Sequence, residues 1–396
     1  MSFIYTRSDL KIRINAGIHN RQGMLLNFNE TCDQTVRKAY AEVDFASAIR
    51  KSVLTPNLYA GIYDYACPSD LSTNKIIDIP AQAKRYDGEF FLVPPSDFDV
   101  ARQVGSIAVD NFNGTRLLKI NSQVADKSVV ASELDSITSN GTWALFGDAV
   151  NVLSDDSDFI KGNGSIKFDI SAAGGTTAGI QSSNVTATDM TDYFGGTSSF
   201  FVWAKINSVT NLTNYILRFG SDSSNYYSKT VIAQSDGTTF VPGWNLLRFD
   251  VSSLTTVGTP VITAIDYFVI TMTKTVAKVS ESDYKFDYLV LKKGVVHNVK
   301  YYTSYGWQSA AGAYKVNSTD DLDLLVADND EFELLVELGI SIAAKEVREY
   351  DIAKDSKQEY MEHVKNYKMR SPSYAKIMSN EYYSYDYNHQ SYNRGH

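Results

Sequence analysis

Cysteine is nearly absent: Cys32 and Cys67 are the two in 396 residues. No disulfide framework can hold such a chain, and reduced thiols in a reducing compartment are expected. No apolar run reaches the ~18 residues of a membrane-crossing helix. The opening MSFIYTRSDLKIR has no apolar core of a secretory leader, so none is expected. Basic charge is also short. Lys and Arg number 37 against 46 Asp and Glu, for a net charge of −9. That excludes a chain-wide nucleic-acid binder, which needs a cationic excess.

Chemistry-bearing motifs are missing as well. The histidines (His19, His297, His363, His389 and His396) stand in no metal-ligand spacing. There is no GxSxG, GxxxxGK[ST] or GxGxxG. Asp155, Asp156 and Asp158 match a calcium loop in charge density only, and a solvated loop is expected there. A glycosidase carboxylate pair need not be close in sequence, and nothing selects one among the 46 acids. The sequons at Asn113, Asn140, Asn163 and Asn184 reflect a composition rich in Ser, Thr and Asn. No enzyme is expected.

Tyrosine is abundant. There are 26, of which Tyr374, Tyr382, Tyr383, Tyr385, Tyr387 and Tyr392 crowd the last 23 residues. Tyrosine buries apolar area behind a polar tip and is enriched where proteins meet. The cluster reads either as an interface or as a sticky, partly ordered tail.

Three textures follow along the chain. In residues 1–130, Ser8 or Asp9 caps a helix through Leu10, Ile12, Ile14 and Ile18. A second helix, with Asn29 as its cap, runs from about Asn29 to Lys51, with Val36, Ala39, Tyr40, Val43 and Ala46 on one face. Short strands then flank Cys67-Pro68-Ser69-Asp70 and Asn111-Phe112-Asn113-Gly114.

Residues 131–295 carry 41 Ser plus Thr and 14 of the 24 glycines. Alternating runs recur there, such as Ser165–Ile170, Ser199–Lys205, Asn245–Val251 and Lys285–Leu291, with turn clusters between several of them. Many short strands without helical pattern predict a β-sandwich. In residues 296–370, Asn329 or Asp330 caps a helix with Phe332, Leu335, Val336, Gly339, Ile342, Ala343, Val347 and Tyr350 on one face. Tyr360, Val364 and Tyr367 extend it, so one helix of about forty residues, ~60 Å long, is expected before a tail at 371–396. The whole reads as an α+β multidomain chain, a helical domain with short strands interrupted by an inserted sandwich.

Two resemblances give this organisation a meaning. Gly162–Phe168, Gly243–Asp250 and Phe286–Leu291 resemble the carbohydrate-binding-module-like jelly rolls. In that family the closing-strand aspartate often ligates a structural calcium, and Asp287 matches its position. Trp143, Trp203 and Trp244 are candidates for either core or a sugar-binding face. The jelly roll reads as structural or adhesive, or as a true glycan binder.

The flanks resemble the head–tail adaptor (connector) proteins of tailed bacteriophages. Asn15–His19, Thr35–Ala39, Leu58–Leu71 and Ser371–Lys376 carry the likeness. It implies a helical-bundle adaptor domain in a ring, dodecameric by the resemblance, below the portal protein. The ring would touch its own copies, portal, and tail or fibre proteins in the virion neck. It would be made in the bacterial host cytoplasm, with genomic DNA sliding through without specific binding and no membrane contact. Leu335, Ile342, Tyr350, Tyr360, Tyr367, Tyr374, Tyr382, Tyr383 and Tyr385 are the expected interface residues. The alternative is a tail-fibre or receptor-binding protein whose jelly roll binds host surface glycans. A secreted polysaccharide enzyme is disfavoured, with neither leader nor acid–base motif in view.

Overall fold

The computed structural model describes residues 4–53, 58–78, 91–101, 105–112, 115–121, 124, 126–194, 196–275, 280–296 and 298–370. The chain divides into two compact units. One comprises Met1–Ser52, Pro68–Ile79 and Val299–His396; the other comprises Val53–Cys67 and Pro80–Asn298. Residues 53–67 and 80–130 therefore group with the sandwich.

Five α-helices are present among the described residues: α1 (Arg7–Gly17), α2 (Phe28–Glu42), α3 (Pro95–Ala101), α4 (Asn329–Glu346) and α5 (Tyr350–Arg370). In the first unit, Thr6 caps α1 reciprocally with Asp9, Asn27 caps α2, and Asp328 caps α4 reciprocally with Glu331. Each cap lies earlier than the sequence predicts. In α1 the two expected caps, Ser8 and Asp9, are instead the second and third helical residues, and the Asp9 carboxylate reaches back to the cap.

Leu10 and Ile14 of α1, Val36 and Tyr40 of α2, and Phe332 and Leu335 of α4 share one core with Ala353 and Tyr360 of α5. Such side chains contribute about 1.5–3 kcal/mol each on burial. Glu331 is fully buried in this unit. Its carboxylate accepts from the Tyr367 hydroxyl (2.6 Å), the Ser47 hydroxyl, and the backbone N–H groups of Ser47 (3.2 Å) and Asp328 (2.9 Å). Two small sheets complete the unit. One joins Ile49–Val53, Asn298–Thr303 and Leu71–Asp78, and the other joins Trp307–Gln308, Tyr314–Lys315 and Leu324–Leu325.

The expected helical-bundle adaptor fold is corrected here. The molecule is mostly β-sheet, with a few short helices towards the termini, and the connector reading loses the fold on which it stood. The single forty-residue helix is corrected too. Val347 closes α4, Arg348 takes a left-handed φ of 64°, and α5 turns back along α4. Ser341 donates to the carbonyl of Ala353 at 2.9 Å, and His363 approaches Glu337 at 2.8 Å. Folding back lets each helix bury its stripe on the other, which a straight rod could not do within one chain.

The second unit contains the sandwich. Its strands are β1 (Ser128–Ser132), β2 (Thr142–Gly147), β3 (Ala149–Asp155), β4 (Ser165–Ile170), β5 (Thr177–Ser183) and β6 (Ser198–Ile206). They continue as β7 (Leu212–Asp222), β8 (Asn225–Val231), β9 (Gly243–Asp250), β10 (Thr255–Val257), β11 (Tyr267–Lys274) and β12 (Glu281–Lys293). One sheet runs β9-β6-β12-β4-β3, with β1 also on β12; the other runs β10-β8-β7-β11-β5-β2. Their inner faces meet in an apolar core that includes Phe168, Phe200, Phe219, Phe249, Phe268 and Phe286. This is the β-sandwich that the alternating runs predict. A small sheet of Asp64–Ala66, Thr115–Ile120, Ser106–Phe112 and Phe91–Leu92 belongs to the same unit.

Candidate functional site

Alternation along the first sheet decides what faces outward. On β6, Phe200, Val202, Ala204 and Ile206 enter the core, leaving Phe201, Trp203 and Lys205 on the other face. On β9, Leu247 and Phe249 point inward and Trp244, Leu246 and Arg248 outward. On β12 the alternation breaks. Tyr284 and Phe286 are core residues, and so are Leu289 and Leu291. The register shows why: Phe201 pairs with Val290, yet Trp203 pairs with Asp287. One extra residue in β12 forms a β-bulge. It turns both Asp287 and Tyr288 away from the core, and Tyr288 takes a left-handed φ of 57°.

A cleft of about 770 Å3 opens on this outer face. Phe201, Trp203, Leu246, Tyr288 and Val290 form its sheet side. One wall is the segment 60–64, which carries Tyr63 and Asp64. Buried Tyr59 ties that segment to the sandwich. Its hydroxyl meets Ser199 Oγ at 2.7 Å, and its ring packs edge-on to Phe201 with centroids 4.9 Å apart. Tyr65 closes the same loop by donating to the carbonyl of Ile62 at 2.7 Å. Gln234 and Asp236 supply polar groups on this side. Burial raises the pKa of Asp64; Lys119 lowers it, and Asp236 adds to the rise.

Ile160 and Lys161 form another part of the lining. Asp287 holds them: its Oδ2 accepts their backbone N–H groups at 2.6 and 2.8 Å. Just upstream, Asp155 and Asp158 are engaged by lysines of the sheet. Lys285 reaches Asp155 at 2.7 Å and Asp158 at 3.0 Å, and Lys205 reaches Asp158 at 2.6 Å. Trp244 Nε1 donates to Asp158 at 2.9 Å. Hydrogen bonding from Lys205 leads in pulling the Asp158 carboxyl down to about 2, assisted by Trp244 and Lys285 against burial. The Lys285 and Ser157 contacts hold Asp155 well below the ordinary carboxylate range. The expectation of a freely solvated acidic loop is corrected for these two residues, because sheet lysines remote in sequence neutralise them. Asp156 remains exposed.

The jelly-roll resemblance implies calcium at Asp287, whose carboxylate is engaged through one oxygen only. Asp287 is fully buried; Oδ2 faces two N–H donors, and Oδ1 has no hydrogen-bond partner among the described residues. Burial raises its pKa, the two N–H groups lower it, and Asp135 raises it further. Among the described residues no group of three or more His, Cys, Asp or Glu is placed to hold a metal ion.

The tryptophans separate. Trp143 is in the core, Trp203 lines the cleft, and Trp244 serves Asp158. Of the expected interface residues, Leu335 and Tyr360 are buried in the first unit. The Tyr360 hydroxyl donates to Glu42 at 3.0 Å, and that of Tyr367 to Glu331. Ile342 is half-buried and Tyr350 is 67% exposed. Tyr374, Tyr382, Tyr383 and Tyr385 lie outside the described residues, as does His297. Among the described residues no helix is long and apolar enough to cross a membrane. Sequence reasoning missed Tyr63, Lys161 and Tyr288; the bulge that turns Tyr288 outward leaves no mark in the local pattern.

No protein-family model matches the chain, and no curated protein matches it. Solved structures give low-scoring likenesses. One is to carbohydrate-binding modules of the β-sandwich superfamily, at 16% identity over 46% of this chain and 70% of that one, TM-score 0.29. Another is the family 30 carbohydrate-binding module of a cellulosomal cellulase of Clostridium thermocellum, at 10% identity over 43% and 98%, TM-score 0.28. A third is the xylan-binding CBM22-1 domain of Paenibacillus barcinonensis Xyn10C, at 11% identity over 44% and 98%, TM-score 0.24. The chain also matches 26% of the length of an exo-β-agarase and 26% of an arabinofuranosidase.

Proposed function

We propose that the second unit binds a carbohydrate in the cleft on the outer face of the β9-β6-β12 sheet. One observation carries the reading: Trp203, Tyr288 and Tyr63 share a single cleft with Gln234, Asp236 and Lys161. A sugar ring has apolar C–H faces and a rim of hydroxyls. Aromatic rings, with their electron-rich faces, suit the former, and planar or charged polar groups suit the latter. A cleft of about 770 Å3 falls within the few-hundred to ~1,000 Å3 range that encloses a drug-sized ligand, which fits a short oligosaccharide. The reading is of binding without bond cleavage.

The test is a glycan array on the full chain, followed by calorimetry on each hit. Binding in the micromolar to millimolar range is expected, with the oligosaccharide recovered intact. Trp203→Ala lowers affinity at least tenfold, about 1.4 kcal/mol, and Trp203→Phe retains part of it. Silence across neutral and acidic glycans, or full affinity in Trp203→Ala, sinks the reading.

A further inference from the structure

Resting on the carbohydrate reading of the same cleft, we infer that the bulge at Asp287–Tyr288 builds the site: Asp287 is a positioning residue for the Ile160–Lys161 wall, and Tyr288 is a ligand-contacting residue.

Tyr284 and Phe286 face the core, so an unbroken β12 would send Asp287 outward and Tyr288 inward. Leu289 and Leu291 are core residues instead, so the extra residue is taken up between Asp287 and Tyr288. Two neighbours thus leave the core on the same side. One grips the loop and the other lines the cleft.

The residue types at the bulge point the same way. Left-handed backbone suits glycine or asparagine and disfavours a bulky side chain. A tyrosine held at φ 57° stores strain that a glycine would relieve. The conformation is fixed from outside: Tyr288 N–H donates to the carbonyl of Glu133 at 3.0 Å. The strained position is thus occupied by an aromatic that lines the cleft, where a glycine would serve the bulge alone. Asp287 is equally specific. A fully buried carboxylate is costly unless it is paired or hydrogen-bonded, and its hydrogen bonds go to the two residues that line the cleft. A carboxylate hydrogen bond to backbone N–H is of the strong, charge-assisted kind, so losing two of them frees that wall.

The experiment measures amide hydrogen exchange at Ile160 and Lys161 alongside affinity for the best array sugar. In Asp287→Ala, exchange at both amides quickens at least tenfold and affinity falls at least tenfold. Asp287→Asn keeps one oxygen that accepts both N–H groups and stays within about threefold of wild type. Should the alanine variant not fold, Asp287→Ser, too short to reach both N–H groups, carries the same expectation. Tyr288→Gly loses at least tenfold in affinity, while its melting temperature moves by no more than about 3 °C, because released strain offsets lost burial.

Wild-type exchange in Asp287→Ala, or faster exchange with undiminished affinity, overturns the positioning role. Full affinity in Tyr288→Gly overturns the contact role. A wild-type protein silent on every glycan overturns the carbohydrate reading, and the exchange rates still decide whether Asp287 holds the wall.

Discussion

Lys205 lies directly across from Lys285 on the paired strands β6 and β12, like charge facing like charge. The row continues on both sides, to Lys167 on β4 and to Trp244 on β9. Facing lysines destabilise a sheet unless something answers them. Asp158 does so for both, and Asp283 adds contacts to Lys205 (2.8 Å), Lys167 (3.3 Å) and Lys285 (3.5 Å). The acidic loop beside the cleft is therefore pinned by a basic row of the sheet.

Removing Asp158 unbalances that row. Asp158→Ala leaves Trp244 Nε1 without its acceptor and Lys205 facing Lys285 with less compensation. Hydrogen bonds to charged groups contribute about 1.5–3 kcal/mol each when shielded, and solvent screening at this one-third exposed carboxylate reduces that. A loss of about 1–2 kcal/mol in urea unfolding is expected, larger at low salt. Unchanged stability would show that the network contributes nothing.

Acid should act on the same group. Its folded pKa, about 2, lies below the ordinary 3.8. A depressed carboxylate contributes stability that is complete above the unfolded value and lost as pH falls through the folded one. The melting temperature of wild type is expected to drop between pH 4 and pH 2 more steeply than that of Asp158→Asn. Parallel curves for the two proteins contradict this.

In the first unit, Glu331 sits without solvent among Tyr367, Ser47 and Asp328. Glu331→Ala strands several buried donors at about 1–3 kcal/mol each, so a loss of about 3 kcal/mol or more is expected. Tyr367→Phe removes one of those hydrogen bonds and costs about 1 kcal/mol. Equal effects of the two variants in thermal unfolding would refute this ranking.

The cysteines should differ in reactivity. Burial pushes the Cys32 thiol up to about 12, and the side chain has no exposed surface. Cys67 is half-buried. A thiol reagent at pH 8 should modify Cys67 first in the folded protein and both residues in denaturant, because the thiolate is the reacting form. Rapid labelling of Cys32 under native conditions would show that α2 opens readily.

Gly179 on β5 tests the packing of the second sheet. A Cβ there would lie 2.0 Å from the Ile270 carbonyl oxygen and 2.7 Å from the Thr271 Cα, both backbone atoms that cannot swing aside. Gly179→Ala should cost about 1–3 kcal/mol, as overpacking does. A neutral result in thermal unfolding would mean that β5 and β11 separate more easily than their register implies.

Local pattern determined much of this protein. Alternation in Ser165–Ile170, Asn245–Val251 and Lys285–Leu291 marked strands, because side-chain direction in a strand depends only on parity. The 3.6 period around Leu10, Val36 and Phe332 marked helices for the same kind of reason. What folded back on what was decided elsewhere. Nothing between Glu346 and Tyr350 reads as a stop, since the break there answers to the burial of two stripes on each other. Asp155 and Asp158 looked solvated because the lysines that hold them arrive from β6 and β12, far along the chain. The cleft depends on one inserted residue at Asp287–Tyr288, and a bulge is defined by the partner strand, which no window of sequence contains.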